Sequence, residues 1–141
     1  MRSTRLRRSL TLLRLATSYL TFLALKRIVP LRTLARLAWA TPVTRSTPGA
    51  DAAIAGVVRL QRMRGQSRGD CLENALVLYR ELSRSGWDPV LVVGFRRRAG
   101  RTEGHAWVEI AGRAVAEANP ELGAFTRTLG FGRAGIPVAV E

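Results

Sequence analysis

The chain has 141 residues, enough for one hydrophobic core and too few for two independent ones. Its net charge of +13 rests on arginine, with Lys26 as the single lysine, a balance that favours acidic partners and says nothing about fold. The lone cysteine, Cys71, excludes an internal disulfide framework and reads as a reduced thiol of a cytoplasmic protein.

Residues 5–27 interleave Leu6, Leu10, Leu13, Tyr19, Phe22, Leu23 and Leu25 with Arg and Thr, which predicts a helix with a broad apolar surface. The basic start resembles a secretion signal. However, Arg14 interrupts the apolar stretch, and the uncharged run 15–25 falls short of the ~20 residues that cross a bilayer. Arg32 and Arg36 then precede the only small-residue pattern, Ala38-Trp39-Ala40, so a helix that binds something is expected here rather than a cleaved signal. Pro30 breaks it, and a second helix is expected over 31–40. Residues 41–51, rich in Pro, Thr and Gly, read as a loop, 52–64 as a third helix and 65–70 as a turn.

A fourth helix begins at Cys71. Leu72, Ala75, Leu76, Tyr79 and Leu82 recur at helical spacing, Asp70 is placed as N-cap with Glu73 completing a capping box, and Gly86 ends the helix. PVLVVGF (89–95) reads as a strand and 96–104 as a charged loop, while HAWVEI and RAVAE flank Ala111-Gly112 as the arms of a hairpin. The organisation expected is a single domain, 1–141, with a helical N-terminal region (1–65), a core bearing the chemistry (66–118) and a tail (119–141) to which the sequence assigns no structure.

The chemistry lies in three residues. Cys71, as first helical residue, sits at the positive end of the macrodipole, which favours a thiolate. The order Cys71, His105, Glu117 supplies a nucleophile, a proton carrier and an acid to orient it, the set used in thiol-dependent acyl transfer. A two-residue turn at Ala111-Gly112 would put His105 and Glu117 on opposite faces of the hairpin. A three-residue turn with Gly112 left-handed pairs His105 with Glu117 and Glu109 with Arg113, and this is the register expected. Glu109, ~13 Å along the strand from His105, is expected in a cross-strand ion pair rather than at the imidazole.

Segment 71–117 resembles the transglutaminase-like leader peptidases of lasso-peptide biosynthesis, the separate B2 proteins. The resemblance is carried by CL followed by ALVLYRELSRSG, by PVLVVGF, by HAWVEIAG, and by an acid twelve residues after the histidine. Two departures stand out: Glu117 where that family typically has Asp, and Glu73-Asn74-Ala75 after Cys-Leu where an Arg-Ser pair is common. The resemblance implies an α+β fold with a transglutaminase-like, papain-like cysteine protease core, in which a Cys-bearing helix packs on a small antiparallel sheet. It implies cleavage of a precursor at its leader–core junction, with Cys71 as nucleophile, His105 as base and then acid, and Glu117 orienting His105. Oxyanion donors would be the Cys71 backbone N–H and Gln66. Implied partners are the precursor peptide, a B1-type leader-recognition protein and an ATP-dependent macrocyclase; no metal or organic cofactor is implied. Two alternatives remain: a transglutaminase-like acyl transferase using the same triad, and a non-enzymatic basic module binding nucleic acid or an anionic membrane. Against nucleic acid, the arginines are scattered and no nucleic-acid-binding motif appears.

Overall fold

The computed structural model describes residues 2–43, 50–64 and 70–141. Four helices come first, α1 (Arg2–Leu25), α2 (Leu31–Ala38), α3 (Ala50–Arg64) and α4 (Cys71–Arg84). Strands β1 (Val90–Arg98), β2 (Arg101–Ile110), β3 (Arg113–Val115), β4 (Thr126–Phe131) and β5 (Pro137–Val138) follow, with short 3-10 turns at Leu122–Ala124 and Arg133–Gly135. The strands form one antiparallel sheet in the order β3-β2-β1-β4-β5, giving the α+β class expected.

Helix α4 lies between this sheet and the other helices. Leu91 and Val93 of β1 and Ala106 and Val108 of β2 share a core with Leu76, Tyr79 and Leu82 of α4. Leu15, Tyr19 and Phe22 of α1, Leu34 of α2 and Val57 of α3 complete that core. The opposite face of the sheet carries a smaller cluster of Val92, Trp107 and Phe125. A helix enclosed on so many sides is buried nearly all round, and its carboxylates are buried with it. Glu81 pairs with Arg14 at 2.6 Å, and Glu73, fully buried, pairs with Lys26. Both cations come from α1 and the turn that follows it, which fixes α1 antiparallel to α4. A buried carboxylate without its cation is strongly destabilising, so Arg14 and Lys26 tie α1 and its following turn to the core.

The Tyr79 hydroxyl donates to the Gly132 carbonyl and accepts the Gly135 N–H at 3.1 Å, and burial pushes its pKa to about 12. This knot ties α4 to the β4–β5 connection, against which α2 packs so closely that a Cβ on Gly135 would lie 2.5 Å from the Arg36 nitrogen.

Several expectations change. The charged stretch 96–104 is the tip of the β1–β2 hairpin, closed by Ala99 (φ 49°) and Gly100 (φ 77°) in the two-residue turn that suits strand twist. Arg96 and Glu103 face each other across it and pair at 2.7 Å, so the charges that read as a loop are a solvated ribbon. The tail, to which the sequence assigned no structure, carries β4, which pairs with β1 inside the sheet. The capping box does not form: Asp70 makes no side-chain cap bond, and Glu73 turns inward to Lys26. Most of the turn placed at 65–70, and 44–49 of the loop placed at 41–51, lie outside the described residues.

Gly135→Ala should lower the thermal midpoint, at a cost of about 2 kcal/mol or more, because the residue holds φ +67° and the added methyl meets the α2 backbone. Gly123→Ala, in open space, is the control and should change the midpoint little.

Candidate active site

The first rung of the α4 ladder is Asn74 N–H to the Asp70 carbonyl at 3.1 Å, so the N–H groups of Cys71, Leu72 and Glu73 precede it. Cys71 therefore stands at the positive end of the helix, as its sequence position predicted. Strand β3 pairs with β2 over only three rungs, Ile110↔Arg113, Glu109↔Ala114 and Val108↔Val115. Beyond Val108 the β2 edge is left uncovered by β3, and the Ala106 N–H there goes to the Cys71 sulfur instead of to a strand.

The hairpin register corrects the sequence reading. Ala111 (φ 50°) and Gly112 (φ 74°) make a two-residue turn, not a three-residue one, and Arg113 stands opposite Ile110 rather than Glu109. Strict alternation in this register would carry Glu117 to the face away from His105. The strand ends at Val115, however, and Ala116 at φ 53° breaks the alternation immediately before Glu117. His105 Nε2 and Glu117 Oε2 consequently lie 3.0 Å apart, and Glu117 Oε1 accepts the Asn119 N–H at 2.7 Å. With Nε2 on the carboxylate, Nδ1 is the ring nitrogen left for the hydrogen bond between His105 and Cys71.

Glu109 is not paired with Arg113. It is buried, accepts the Trp107 Nε1–H at 2.8 Å and pairs with Arg127 at 2.8 Å. Its carboxylate thereby fixes the indole, whose ring stacks on His105 with centroids 5.9 Å apart, while Phe125 approaches the imidazole at 5.3 Å. Trp107 lies across Gly94, where a Cβ would sit 2.9 Å from the indole and 2.8 Å from the Thr126 carbonyl. The missing side chain at Gly94 makes room for the ring that braces His105. Sequence reasoning missed this brace, although His105, Trp107 and Glu109 at spacing two must share a strand face. Gln66 lies outside the described residues. Among the described residues, no three His, Cys, Asp or Glu side chains group as metal ligands would.

Burial pushes the Cys71 thiol up, but the His105 hydrogen bond, the Ala106 N–H and the imidazolium charge outweigh it, against a smaller opposing push from Glu73. The net result is a lowered thiol pKa. His105 is raised to about 9, first by its bond to the thiol and then by its bond to Glu117, with burial opposing. Both shifts run towards thiolate and imidazolium, which sets a nucleophile beside a proton donor.

A family model described as the transglutaminase-like superfamily matches residues 5–130. The chain belongs to the transglutaminase-like superfamily. That superfamily includes cysteine proteases and acyltransferases. No match was found among curated proteins or solved structures. The family match runs from α1 into β4, so the basic helices and the sheet strand that the sequence left unassigned both lie within the transglutaminase-like unit.

Alkylation of Cys71 by iodoacetamide should stay fast below the ordinary thiol range and fall only as the pH drops through the lowered pKa; His105→Ala should return the midpoint towards the ordinary 9.0. Glu73→Gln removes the buried charge that pushes the thiol up and should lower the midpoint, which the alkylation pH profile of that variant checks.

Proposed function

We propose that this chain is a cysteine peptidase that removes the leader from a ribosomally made lasso-peptide precursor. The observation that carries this reading is the Cys71–His105–Glu117 constellation at the junction of α4 with the open edge of β2. The residues that resemble lasso-peptide leader peptidases surround it. The thiolate attacks the carbonyl at the leader–core junction, and the developing oxyanion takes the Cys71 backbone N–H as one donor. His105, already protonated, gives its proton to the departing amine of the core, and the leader stays on sulfur as a thioester. His105 then takes a proton from water as it attacks the thioester, which frees the leader acid and restores the thiolate beside the protonated imidazole. Glu117 holds the imidazole orientation and stabilises its charge throughout.

A B1-type leader-recognition protein presents the precursor, and an ATP-dependent macrocyclase closes the freed core amine onto an acidic side chain. The lone reduced thiol suits the cytoplasm as the site of this reaction. The chemistry asks for no metal or organic cofactor. Transfer of the acyl group to an amine would use the same thioester, and the product distinguishes the two.

Mass spectrometry of precursor incubated with the full chain and the recognition protein should show a leader ending in a free carboxylate and a core with a new amino terminus. Cys71→Ala should abolish both products while precursor binding persists. A leader ending in an amide of an added amine would instead mark an acyl transferase. Steeply salt-dependent nucleic-acid binding without thiol-dependent cleavage would mark a basic module.

Glu117→Ala should slow cleavage by about 10²–10⁴, the usual cost of losing an orienting acid. Glu109→Ala should act mainly on stability, since that carboxylate touches Trp107 and Arg127 and not the imidazole. Glu117→Asp should retain substantial activity. Greater damage to the rate from Glu109→Ala than from Glu117→Ala, with both variants folded, would overturn the assignment of the acid.

A further inference from the structure

Helix α1 has two apolar faces, and only one of them is used by the fold. Leu15, Tyr19 and Phe22 are buried against α4 and its neighbours, whereas Leu10, Leu13 and Leu20 are 57%, 65% and 62% exposed. At about 100° per residue, Leu10, Leu13, Thr17, Leu20, Thr21 and Ala24 fall within an arc of about 100° directly opposite the buried side chains. The two threonines on this face give their hydroxyls to the backbone one turn back, Thr17 to the Leu13 carbonyl and Thr21 to the Thr17 carbonyl, each at 2.9 Å. Arg14, the one charged residue between Ser9 and Leu25, is spent on Glu81. Single exposed leucines are ordinary on a protein surface, but three on one uncharged helix face, with the hydroxyls between and beside them tied back, mark a contact surface.

Charge selects the occupant. The first acidic residue in the chain is Asp51, and the fifty residues before it hold ten of the 23 lysines and arginines. Arg2, Arg5, Arg7 and Arg8 lie in the opening turns of α1, and Lys26 and Arg27 follow its end, so the apolar stretch is bracketed by cations. A second copy is a poor fit. Antiparallel pairing of two α1 helices would bring the arginine-rich start of one beside Arg27 of the other, Lys26 being taken up by Glu73. Parallel pairing would bring the two arginine-rich starts together, and no acidic residue lies among the first fifty to offset them. An uncharged leucine face between basic ends fits a bilayer surface with anionic headgroups. No helix among the described residues is long and apolar enough to cross a membrane, so α1 would lie on the surface and not through it.

We propose that the exposed face of α1 docks this protein onto an anionic lipid surface, with Leu10, Leu13 and Leu20 entering the headgroup–acyl boundary and the net positive charge of the first fifty residues attracting the anionic headgroups. The proposal does not depend on which peptide bond Cys71 attacks.

Flotation of the full chain with vesicles tests it. The protein should rise with phosphatidylcholine vesicles containing phosphatidylglycerol and remain below with phosphatidylcholine alone, and added salt should weaken the association. The double variant Leu13→Glu/Leu20→Glu, whose fold is checked by circular dichroism, should lose about tenfold or more of this partitioning. Leu13→Ser/Leu20→Ser replaces it if the first does not fold. Absence of binding to anionic vesicles overturns the proposal, as does equal flotation of the leucine variants, which would leave the arginines alone responsible. A dimer of the unaltered chain in light scattering that the same substitutions dissolve would assign the face to a second copy instead.

Discussion

The start of α4 meets β2 where β3 has already ended, and the geometry of the site follows from that junction. A strand edge left uncovered presents backbone N–H groups that need partners. Here one of them, from Ala106, is met by the sulfur of Cys71, which also sits at the positive end of its own helix. A longer β3 would occupy that edge and displace the thiol. A shorter one would not deliver Glu117 to His105. Three rungs of pairing satisfy both requirements, and the nucleophile and its proton carrier are held by main-chain architecture more than by their side chains.

The helices behind the site are part of the same device. Helix α4 reaches the edge of the sheet only because it is buried along its length, and that burial takes Glu73 and Glu81 out of water. Isolated carboxylates there would be strongly unfavourable. The cations that neutralise them come from α1 and its following turn, so the helix that carries the thiol is positioned by charge pairs across more than forty residues of sequence. Lys26 pairs with a carboxylate two positions from the nucleophile, which links the outermost helix of the fold to the electrostatics of the sulfur.

Features governed by local rules were legible in the sequence. The helical spacing from Leu72 to Leu82 places Cys71 at a helix start, and the β-branched run after Pro89 is a strand. Features decided by distant contacts were not legible. Glu73 satisfies the capping-box pattern three residues after Asp70, yet the ion pair with Lys26 wins. The run from Arg96 to Arg101 carries the polarity of a loop because that end of the ribbon stands in solvent, where strands need no apolar side chains. Strand β4 is mostly exposed along Thr126–Leu129 and glycine-broken at Gly130, so it lacks the alternation that betrays a strand. The meeting of His105 and Glu117 was anticipated from a register that the hairpin does not adopt. One left-handed residue, Ala116, restores the contact, and no periodicity in the sequence announces such a residue.

That residue is one of four alanines held at positive φ, with Ala99, Ala111 and Ala134. Glycine or asparagine is the usual occupant of such positions, and an alanine there costs on the order of 1 kcal/mol. Three of the four sit in turns away from the reacting groups, so they are a reserve of stability that has not been drawn on: Ala99, Ala111 and Ala134 could be relaxed together without touching the thiol. Ala116 is different in kind. A glycine there would relieve the same strain but widen the range of directions open to the next side chain, so the protein would gain robustness while Glu117 lost its aim.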